Sequence, residues 1–482
     1  MSEKYIVALE IGSSKIRGAV AVADDSGLVD VIAAEEEKLI DSVRYGCIQN
    51  VDVSNAVQSV CERLEAYPRL DQGTITGVYV ALGGKSLSSK IVEVSTTLPA
   101  EMEITRQLTD DLKAKAEALA PEGRDVAEVV PVRFTVDNKA QVNPVGSYGQ
   151  QLGARMAVIS CVPQIKRMLR RVLSERIGLN INGYIVRPLA EAAMALTDDE
   201  RRLGCMFVDF GAETTTVAIY KNGAPVYLAT LPMGSRNITI DLTKLNYIEE
   251  RAEEIKRKSG NAIPQEGFHS KGADGIDYTE VNNYVHARAA EIVQNILAQI
   301  EYAGLKSSDL PGDIIIVGGG AQLRGFNDLL AKQSKMKVRV GSVQGAVRIS
   351  DGAIRPAENL DVISVLAAAA KLPDAECVEF PEPEEEETPG GDSYENMYGD
   401  EEDEDETTSR VGRGYDDDDA APRKKSKKEK KKTPPTDDFG DDTDEDEKPS
   451  GSGFRIFGNL RNRLRGISTM FNEEADDTFK DN

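Results

Sequence analysis

Two separate segments of the chain repeat one pattern of apolar and polar positions. Residues 6–22 and 206–220 each contain an apolar, β-branched run that ends in an acid, then a turn of small or hydroxyl residues, then a second apolar run. Short runs of this kind on either side of a tight turn are typical of two buried strands joined as a hairpin. The repeat therefore predicts two related domains, each with a buried β-hairpin.

The turn of each predicted hairpin has the composition of an anion-binding loop. The first reads Glu10-Ile-Gly12-Ser13-Ser14-Lys15 and the second reads Asp209-Phe-Gly211-Ala-Glu213-Thr214-Thr215. Glycine lets the backbone approach an anion closely, and hydroxyl groups and successive backbone N–H groups can surround phosphate oxygens. We expect a chain with two such turns to hold a polyphosphate between two related domains.

A third glycine-rich segment lies near the end of the second half. The apolar strand predicted at 313–317 runs into Gly318, Gly319 and Gly320, where bare backbone can pack against a base or a ribose. The order of the two turns and this triplet resembles the actin, Hsp70 and sugar-kinase superfamily, which has two phosphate loops and an adenosine motif in this order. Within it, residues 4–372 resemble the bacterial cell-division family FtsA, which has a small inserted domain.

The resemblance implies an actin-like, two-domain α/β ATPase fold with an inserted subdomain of the FtsA type. The predicted divisions are domain 1 at 1–83 and 152–197, its inserted subdomain at 84–151, domain 2 at 198–239 and 305–373, its inserted subdomain at 240–304, an acidic linker at 374–451, an amphipathic helix at 452–472 and an acidic tail at 473–482.

By resemblance, the cleft between the two domains binds ATP and Mg²⁺. Glu10 and Asp209 are then the acids that hold the metal through water, because Mg²⁺ keeps several of its waters. Lys15 stands at a phosphate-neutralising position, while Glu253 and Lys256 have the spacing of the family's ribose and adenine contacts, although such a pair is also typical of a solvated helix face. The predicted ATP-binding residues are Gly12, Ser13, Ser14, Lys15, Asp209, Gly211, Thr214, Thr215, Glu253, Lys256, Gly318, Gly319 and Gly320.

Two positions depart from the superfamily pattern. Glu213 stands in the second turn where many relatives have glycine. Arg187 precedes Pro188, where relatives that hydrolyse ATP efficiently often carry an acid or a polar residue. No residue that would orient the attacking water is evident. We therefore predict ATP binding with at most slow hydrolysis, and we assign no catalytic residue.

Composition disfavours several other kinds of site. The five cysteines form no CxxC pair and only two histidines are present, which disfavours a His-rich metal site and a Ser/His/Asp triad. No run of about 18 apolar residues occurs, so we predict no membrane-spanning helix. Much of the net charge of −24 comes from residues 374–451, which contain 30 acidic and 11 basic residues. Without periodicity, this segment is predicted to be a disordered linker.

The sequence becomes apolar again near its end. On a helical wheel, aromatic and aliphatic residues occupy one arc and most of the arginines the other, which is typical of a helix that lies in a membrane interface. The predicted membrane-binding residues are Phe454, Ile456, Phe457, Leu460, Leu464, Ile467, Met470 and Phe471. A groove on a protein is an alternative partner. The basic block at 423–432 lies between acidic runs, so we interpret it as solvated linker or an auxiliary contact with anionic lipid, and we predict no nucleic-acid binding.

The family resemblance implies a function in cell division. Such a protein tethers filaments of the tubulin-like FtsZ to the cytoplasmic face of the bacterial inner membrane at the septum. Its expected partners are the C-terminal peptide of FtsZ, other copies of itself in an actin-like filament, other divisome proteins and anionic lipids. Arg288 and Glu291 match the helix that meets the FtsZ peptide, although a surface ion pair explains them equally well. The alternatives are an actin-like scaffold of a pilus-type envelope assembly and a small-molecule kinase of the same superfamily.

Overall fold

The computed structural model describes residues 3–24, 26–263, 272, 274–373 and 375–381. These residues form two large sheets with helices packed against them, which is the α/β architecture that the sequence predicts. The predicted amphipathic helix with its membrane-binding residues, the acidic tail and the linker beyond residue 381 lie outside the described residues.

Most of the described strands belong to one sheet of six strands and one of nine. The strand bounds are β1 Lys4–Ile11, β2 Lys15–Ala23, β3 Val29–Lys38, β4 Val43–Arg44, β5 Cys47–Ile48, β6 Thr74–Ile75, β7 Gly77–Leu82, β8 Ser88–Glu103, β9 Asp125–Val136, β10 Lys139–Gln141, β11 Tyr148–Cys161, β12 Asn180–Val186, β13 Cys205–Phe210, β14 Thr215–Lys221, β15 Ala224–Leu231, β16 Ile314–Val317, β17 Val338–Val340, β18 Val347–Ile349 and β19 Val378–Glu379. The orders are β12-β7-β1-β2-β3-β18 and β10-β9-β11-β8-β15-β14-β13-β16-β17. Each sheet therefore contains one predicted hairpin.

The helices connect these strands and cover the sheets. Their bounds are α1 Val53–Glu65, α2 Arg106–Glu117, α3 Pro163–Arg170, α4 Arg187–Ala195, α5 Asp198–Leu203, α6 Ser235–Thr243, α7 Glu249–Ser259, α8 Tyr278–Tyr302, α9 Phe326–Ser334 and α10 Leu360–Ala369. A π-helical segment, Arg171–Ile177, continues α3, and short 3-10 turns lie at Pro68–Leu70, Ser307–Asp309 and Gly319–Gln322. Helix α10 packs against α4 and β1, as expected for a helix rich in small residues.

Both hairpins lie in the interior of their sheets, with neighbouring strands on each side. Strand β1 is buried from Ile6 to its end, and every residue of β13 is buried. A strand that is covered on both faces needs a nearly continuous apolar sequence, which explains both runs. The exceptions are the acids Glu10 and Asp209 near the carboxyl ends of these strands. A buried carboxylate needs a charged or hydrogen-bonding partner, so these two positions direct attention to the region around the turns.

The first inserted segment forms a sheet extension with a core of its own. Strands β8, β9 and β11 pair antiparallel, and helix α2 covers them with its buried Leu112 and Ala116. Strand β8 also joins β15 of the second domain at the single pair Ala229 and Ser88. Strand β11 continues without a break to Cys161, so residues 152–161, which the sequence analysis assigned to domain 1, pair with the strands of this insertion.

The described residues of the second inserted segment are mostly helical, as the sequence predicts. Helix α8 begins after Asp277, whose side chain accepts hydrogen bonds from the backbone N–H groups of Thr279 and Glu280, at 3.0 and 3.2 Å. Its buried residues recur at helical spacing and pack against the second domain: Val281, Val285, Ala289, Ile292, Val293, Ile296, Gln299 and Ile300. Among the described helices, none combines the length and apolar character needed to cross a membrane.

Candidate functional site

The two hairpin turns have the same backbone geometry. The N–H of Gly12 donates to the carbonyl of Lys15 at 3.0 Å, and the N–H of Gly211 donates to the carbonyl of Thr214 at 2.9 Å. In each hairpin the acid lies two residues before the glycine, and it pairs across the strands with the residue seven positions later. The repeated sequence pattern is therefore also a repeated structure.

Glycine is required in the first turn by a close approach of other atoms. A Cβ at Gly12 would lie 2.9 Å from one carboxylate oxygen of Glu10 and 3.0 Å from the carbonyl oxygen of Lys15. These distances are too short for a carbon atom, so a larger residue would displace the acid or open the turn. The glycine thus keeps the Glu10 carboxylate close to the turn.

The glycine triplet lies beside the second turn. Strand β16 pairs in parallel with β13 and places Val317 opposite Asp209. Gly318 has φ of 90°, a conformation that favours glycine, and a Cβ there would lie 2.8 Å from a carboxylate oxygen of Asp209. A Cβ at Gly320 would lie 2.6 Å from the ring of Phe210, whereas a Cβ at Gly319 would meet no atom within 4 Å. The triplet therefore packs closely at both ends and has open space at its centre.

Arg187, the first residue of α4, connects the acids of the two hairpins. Its Nη1 donates to Glu10 Oε1 at 2.7 Å, and its Nη2 donates to Asp209 Oδ2 at 2.5 Å. Its Nε lies 3.6 Å from Oε1 of Glu191, one helical turn later. The side chains of Glu10, Asp209 and Glu191 are at most 8% exposed, and that of Arg187 is 14% exposed. One buried guanidinium thus bridges two carboxylates that belong to different sheets.

Burial controls the proton affinities in this cluster. Burial raises the pKa of Glu10 to about 7, with Arg187 acting in the opposite direction. Burial also raises the pKa of Asp209, against the opposing effect of Arg187. The pKa of Glu191 lies well above its usual range for the same reason, and the repulsion by Asp209 adds to it. Burial thus disfavours the charged form of all three acids, whereas the positive charge of Arg187 favours it.

Glu213 lies at the centre of a second cluster that joins the two halves. Its Oε1 accepts hydrogen bonds from Arg44 and from Arg236, both at 2.9 Å, and its Oε2 accepts one from the backbone N–H of Tyr45 at 2.7 Å. Asp41 pairs with the same two arginines. The side chain of Glu213 is only 4% exposed. The acid in the second turn is thus held by the segment around β4 of the first half and by Arg236 of α6.

Several predicted ATP-binding side chains have partners in the structure. Lys15 forms an ion pair with Glu36, and the hydroxyl of Ser13 accepts a hydrogen bond from the N–H of Gly46 at 3.1 Å. The hydroxyl of Thr215 donates to the carbonyl of Met233 at 2.8 Å. Thr214 is buried within the turn, whereas Ser14 is exposed. The structure thus brings these residues to the two turns, and leaves their contact with ATP a prediction.

Glu253 and Lys256 of α7 form an ion pair of 2.6 Å. The buried Lys256 ammonium also donates to the carbonyl of Ser235 at 3.0 Å. The backbone N–H of Ser235, at the start of α6, donates to the carbonyl of Gly211 at 3.0 Å. Burial lowers the pKa of Lys256, although Glu253 opposes this effect. Lys256 is therefore not on a solvated helix face, whereas the Glu253 side chain is 41% exposed.

Arg288 and Glu291 lie on α8 and contact each other. Arg288 Nη1 donates to Glu291 at 2.6 Å, and its Nε donates to Asp241 of α6 at 2.5 Å. The Arg288 side chain is 26% exposed and that of Glu291 is 51% exposed. Both remain accessible to a partner, but Arg288 is already held by two acids.

The sequence analysis did not predict the partners of Arg187 and Glu213, the two residues that depart from the superfamily pattern. Arg44 and Arg236, which bind Glu213, and Glu191, which faces Arg187, were not among the predicted site residues. Glu191 had a local signal, because it follows Arg187 by four residues, a spacing that places two helical side chains together. The two arginines had none, since they lie 169 and 23 residues from Glu213 in the chain.

Comparisons with known proteins assign the chain to a family. The family model described as cell division protein FtsA matches residues 206–365, and the model described as the SHS2 domain inserted in FtsA matches residues 84–160. Cell division protein FtsA of Porphyromonas gingivalis is 33% identical over 362 residues, which cover 71% of this chain and 74% of that protein. FtsA of Escherichia coli strain K12 is 26% identical over 378 residues, which cover 73% and 87% of the two chains.

A solved structure supports the fold. A chain of the PilM-PilN type IV pilus biogenesis complex superimposes with a TM-score of 0.54 at 16% identity, covering 76% of this chain and 99% of that chain. At this identity the likeness shows the fold alone, and together with the SHS2 match it confirms the predicted actin-like α/β fold with an inserted FtsA-type subdomain. Because the identity to the Porphyromonas protein extends over most of both chains and the inserted domain matches as well, this chain belongs to the FtsA family of cell-division proteins.

Proposed function

We propose that the chain binds ATP between its two hairpin turns and tethers FtsZ filaments to the cytoplasmic membrane at the division septum. The observation that carries the nucleotide part is the convergence of three segments: two turns of matching geometry and a glycine triplet that packs beside the second turn. The family membership supports the role in cell division. The amphipathic sequence at 452–472 supports the membrane contact.

The arrangement of the described residues suits a nucleoside triphosphate. The open space at Gly319 gives the backbone of the triplet room for a base or a ribose. Hydrogen bonds link Lys256 and Ser235 to the second turn, so a ligand between the turn and α7 would meet both the ion pair and the turn. Phosphates would extend from there towards the first turn with Ser14 and Lys15. The negative charge of the ATP phosphates suits a path that leads to the Lys15 ammonium.

The Mg²⁺ site that the sequence predicts conflicts with the position of Arg187. Mg²⁺ held through water by Glu10 and Asp209 stays a prediction, but both acids already bind the Arg187 guanidinium. A hydrated Mg²⁺ between them would have to displace that side chain, because two cations cannot share the same pair of carboxylates without strong repulsion. As the residues are placed, they do not fit a metal held by both acids.

We expect hydrolysis of ATP to be slow. Glu213 has both oxygens engaged, and Glu10 and Asp209 bind Arg187, so these acids near the turns are not free to orient water. A steady-state phosphate-release assay should give a turnover well below the roughly 1 to 100 s⁻¹ that is typical of kinases. The Gly319→Glu variant, which should bind ATP weakly, measures the phosphate released by contaminating ATPases. A wild-type turnover within the kinase range would contradict the prediction of slow hydrolysis.

The tether itself is tested by co-sedimentation with liposomes that contain anionic lipid, with and without ATP and FtsZ. If the proposal holds, the chain alone pellets with the vesicles, and FtsZ pellets only when the chain is present. FtsZ that remains in the supernatant in the presence of membrane-bound chain would contradict the tether. The proposal also includes self-association in an actin-like filament and contact with other divisome proteins, which electron microscopy on the same vesicles would reveal.

The contact with FtsZ is assigned to α8. We expect Arg288→Ala to weaken binding of the C-terminal FtsZ peptide at least about fivefold, because a carboxylate of the peptide would lose its cation. The free energy of unfolding should change by no more than about 1 kcal/mol, since Arg288 is a partly exposed ion-pair residue. Fluorescence anisotropy with labelled peptide measures the first quantity and urea denaturation the second.

Arg251→Ala is the matched control for this prediction. Arg251 also pairs with an acid three residues away, Glu254, on the neighbouring helix α7, and both side chains are 41% exposed. The control should bind the peptide as the wild type does. If Arg288→Ala binds the peptide as tightly as the wild type, Arg288 does not contact FtsZ, and Arg288 and Glu291 form only a surface ion pair.

A further inference from the structure

Arg187 has the position of a bound cation. Its guanidinium lies between one acid from each hairpin and donates one hydrogen bond to each, at 2.7 and 2.5 Å. Both acids are buried, and two buried carboxylates that face a common point need a positive charge between them. In this chain the positive charge comes from the protein itself, because Arg187 is the first residue of α4.

The guanidinium retains donors for a ligand. An arginine carries five N–H groups, and the hydrogen bonds to Glu10 and Asp209 use two of them. The buried Nε has no hydrogen-bond partner, since Glu191 lies 3.6 Å away. Nε is buried beside Glu191, so the donors that remain for a ligand are the second N–H groups of Nη1 and Nη2. Charge-assisted hydrogen bonds from a guanidinium suit phosphate oxygens, and these two N–H groups thus point to an oxyanion as their partner.

The surroundings favour this cation over a metal ion. Within the part of the chain that the structure describes, no three acidic, cysteine or histidine side chains are grouped so that they could hold a metal ion. Mg²⁺ demands octahedral oxygen ligands, whereas Glu10 and Asp209 each already give an oxygen to Arg187. The Arg187 side chain is also only 14% exposed, and its ion pairs with Glu10 and Asp209 restrict its departure.

We propose that Arg187 replaces the divalent cation at this site, so that it binds the nucleotide phosphates directly and ATP binds without Mg²⁺. This inference rests on the proposed nucleotide site. Arg187 has two tasks in it: it neutralises Glu10 and Asp209, and it donates its remaining N–H groups to the phosphates. A purely structural ion pair would perform the first task and not the second.

The wild-type protein provides the first test. Isothermal titration calorimetry with ATP is performed once in the presence of MgCl₂ and once in EDTA. We expect the two dissociation constants to agree within about threefold. A loss of tenfold or more in EDTA would overturn the role of Arg187 and leave the nucleotide site intact. Absence of ATP binding under both conditions would instead overturn the proposed nucleotide site, so the two failures are distinguishable.

Thermal unfolding in the absence of nucleotide is the second test. Arg187→Gln removes the charge between Glu10 and Asp209, so Mg²⁺ alone should raise the unfolding midpoint of this variant and leave that of the wild type unchanged. Arg63→Gln is the matched control, because Arg63 also pairs with two acids, Glu35 and Glu37, but on another surface. A midpoint of Arg187→Gln that does not respond to Mg²⁺ would show that the two acids form no cation site.

The Arg187→Lys variant separates charge neutralisation from phosphate binding. It also tests the proposal if the Arg187→Gln variant does not fold. Lysine keeps the positive charge between the acids, so the unfolding midpoint should stay insensitive to Mg²⁺. It lacks the planar fork, so the affinity for ATP in EDTA should fall at least about fivefold. Wild-type affinity of the lysine variant in EDTA would show that Arg187 does not contact the phosphates.

Discussion

The Gly319→Glu variant is expected to lose at least about tenfold in affinity for ATP, or about 1.4 kcal/mol, while it folds as the wild type does. A side chain at this position meets no atom within 4 Å, and the residue is exposed, so the substitution does not disturb the packing. It would place a carboxylate in the open space at the centre of the glycine triplet, where it would repel the phosphates and occupy the proposed room for the nucleoside. Calorimetry with ATP measures the loss, and thermal unfolding verifies the fold.

Gly352→Glu is the matched control for this experiment. A Cβ at Gly352 also meets no atom within 4 Å, and the residue is exposed in the segment between β18 and α10. The control adds the same charge to the same protein away from the glycine triplet, so its affinity for ATP should stay at the wild-type value. Equal affinities of Gly319→Glu and Gly352→Glu would remove the triplet from the nucleotide site.

The two hairpins and the glycine triplet could be predicted because their signals are local. An apolar β-branched run, an acid and a glycine-containing turn lie within about twenty consecutive residues, and the strand pairing follows from the turn. The equal registers of Glu10 with Arg17 and of Asp209 with Thr216 confirm this reasoning. The helical character of the second insertion was predictable for the same reason, since its apolar residues recur at helical spacing.

The ion-pair clusters could not be predicted because they depend on distant pairings. The sequence shows that Arg187 and Glu213 are unusual, but not which side chains neutralise them. Arg187 meets an acid 177 residues earlier in the chain, and Glu213 meets Arg44 across 169 residues. A charge pattern along one strand or helix contains no information on such partners until the sheets have been packed.

Lys15 illustrates a role that resemblance alone could not settle. The sequence analysis places it at a phosphate-neutralising position, whereas in the structure its ammonium pairs with Glu36 of β3. This pairing is possible because β2 and β3 are antiparallel neighbours, and both side chains are partly exposed. A partly exposed ion pair is worth little in free energy, so a bound phosphate would compete with Glu36 for Lys15.

The membrane helix is the part of the proposed tether with the sharpest sequence signal. On the predicted helix, Phe457 and Leu464 share the apolar arc, and burial of each such side chain contributes about 1.5 to 3 kcal/mol. Two glutamates at these positions would lose that burial and would also add negative charge against an anionic surface. The substitutions lie outside the residues that form the nucleotide cleft, so ATP binding is a built-in control for the fold.

The Phe457→Glu/Leu464→Glu double variant is therefore expected to bind anionic vesicles at least about a hundredfold more weakly than the wild type, and to bind ATP with unchanged affinity. Asn462→Glu/Thr469→Glu is the matched control, because it adds the same charge to the polar arc and retains the apolar one. Co-sedimentation at physiological salt should show the control close to the wild type, with the double variant and its FtsZ left in the supernatant. A double variant that still pellets with vesicles would show that the apolar arc faces something other than lipid, and a protein groove would then be its partner.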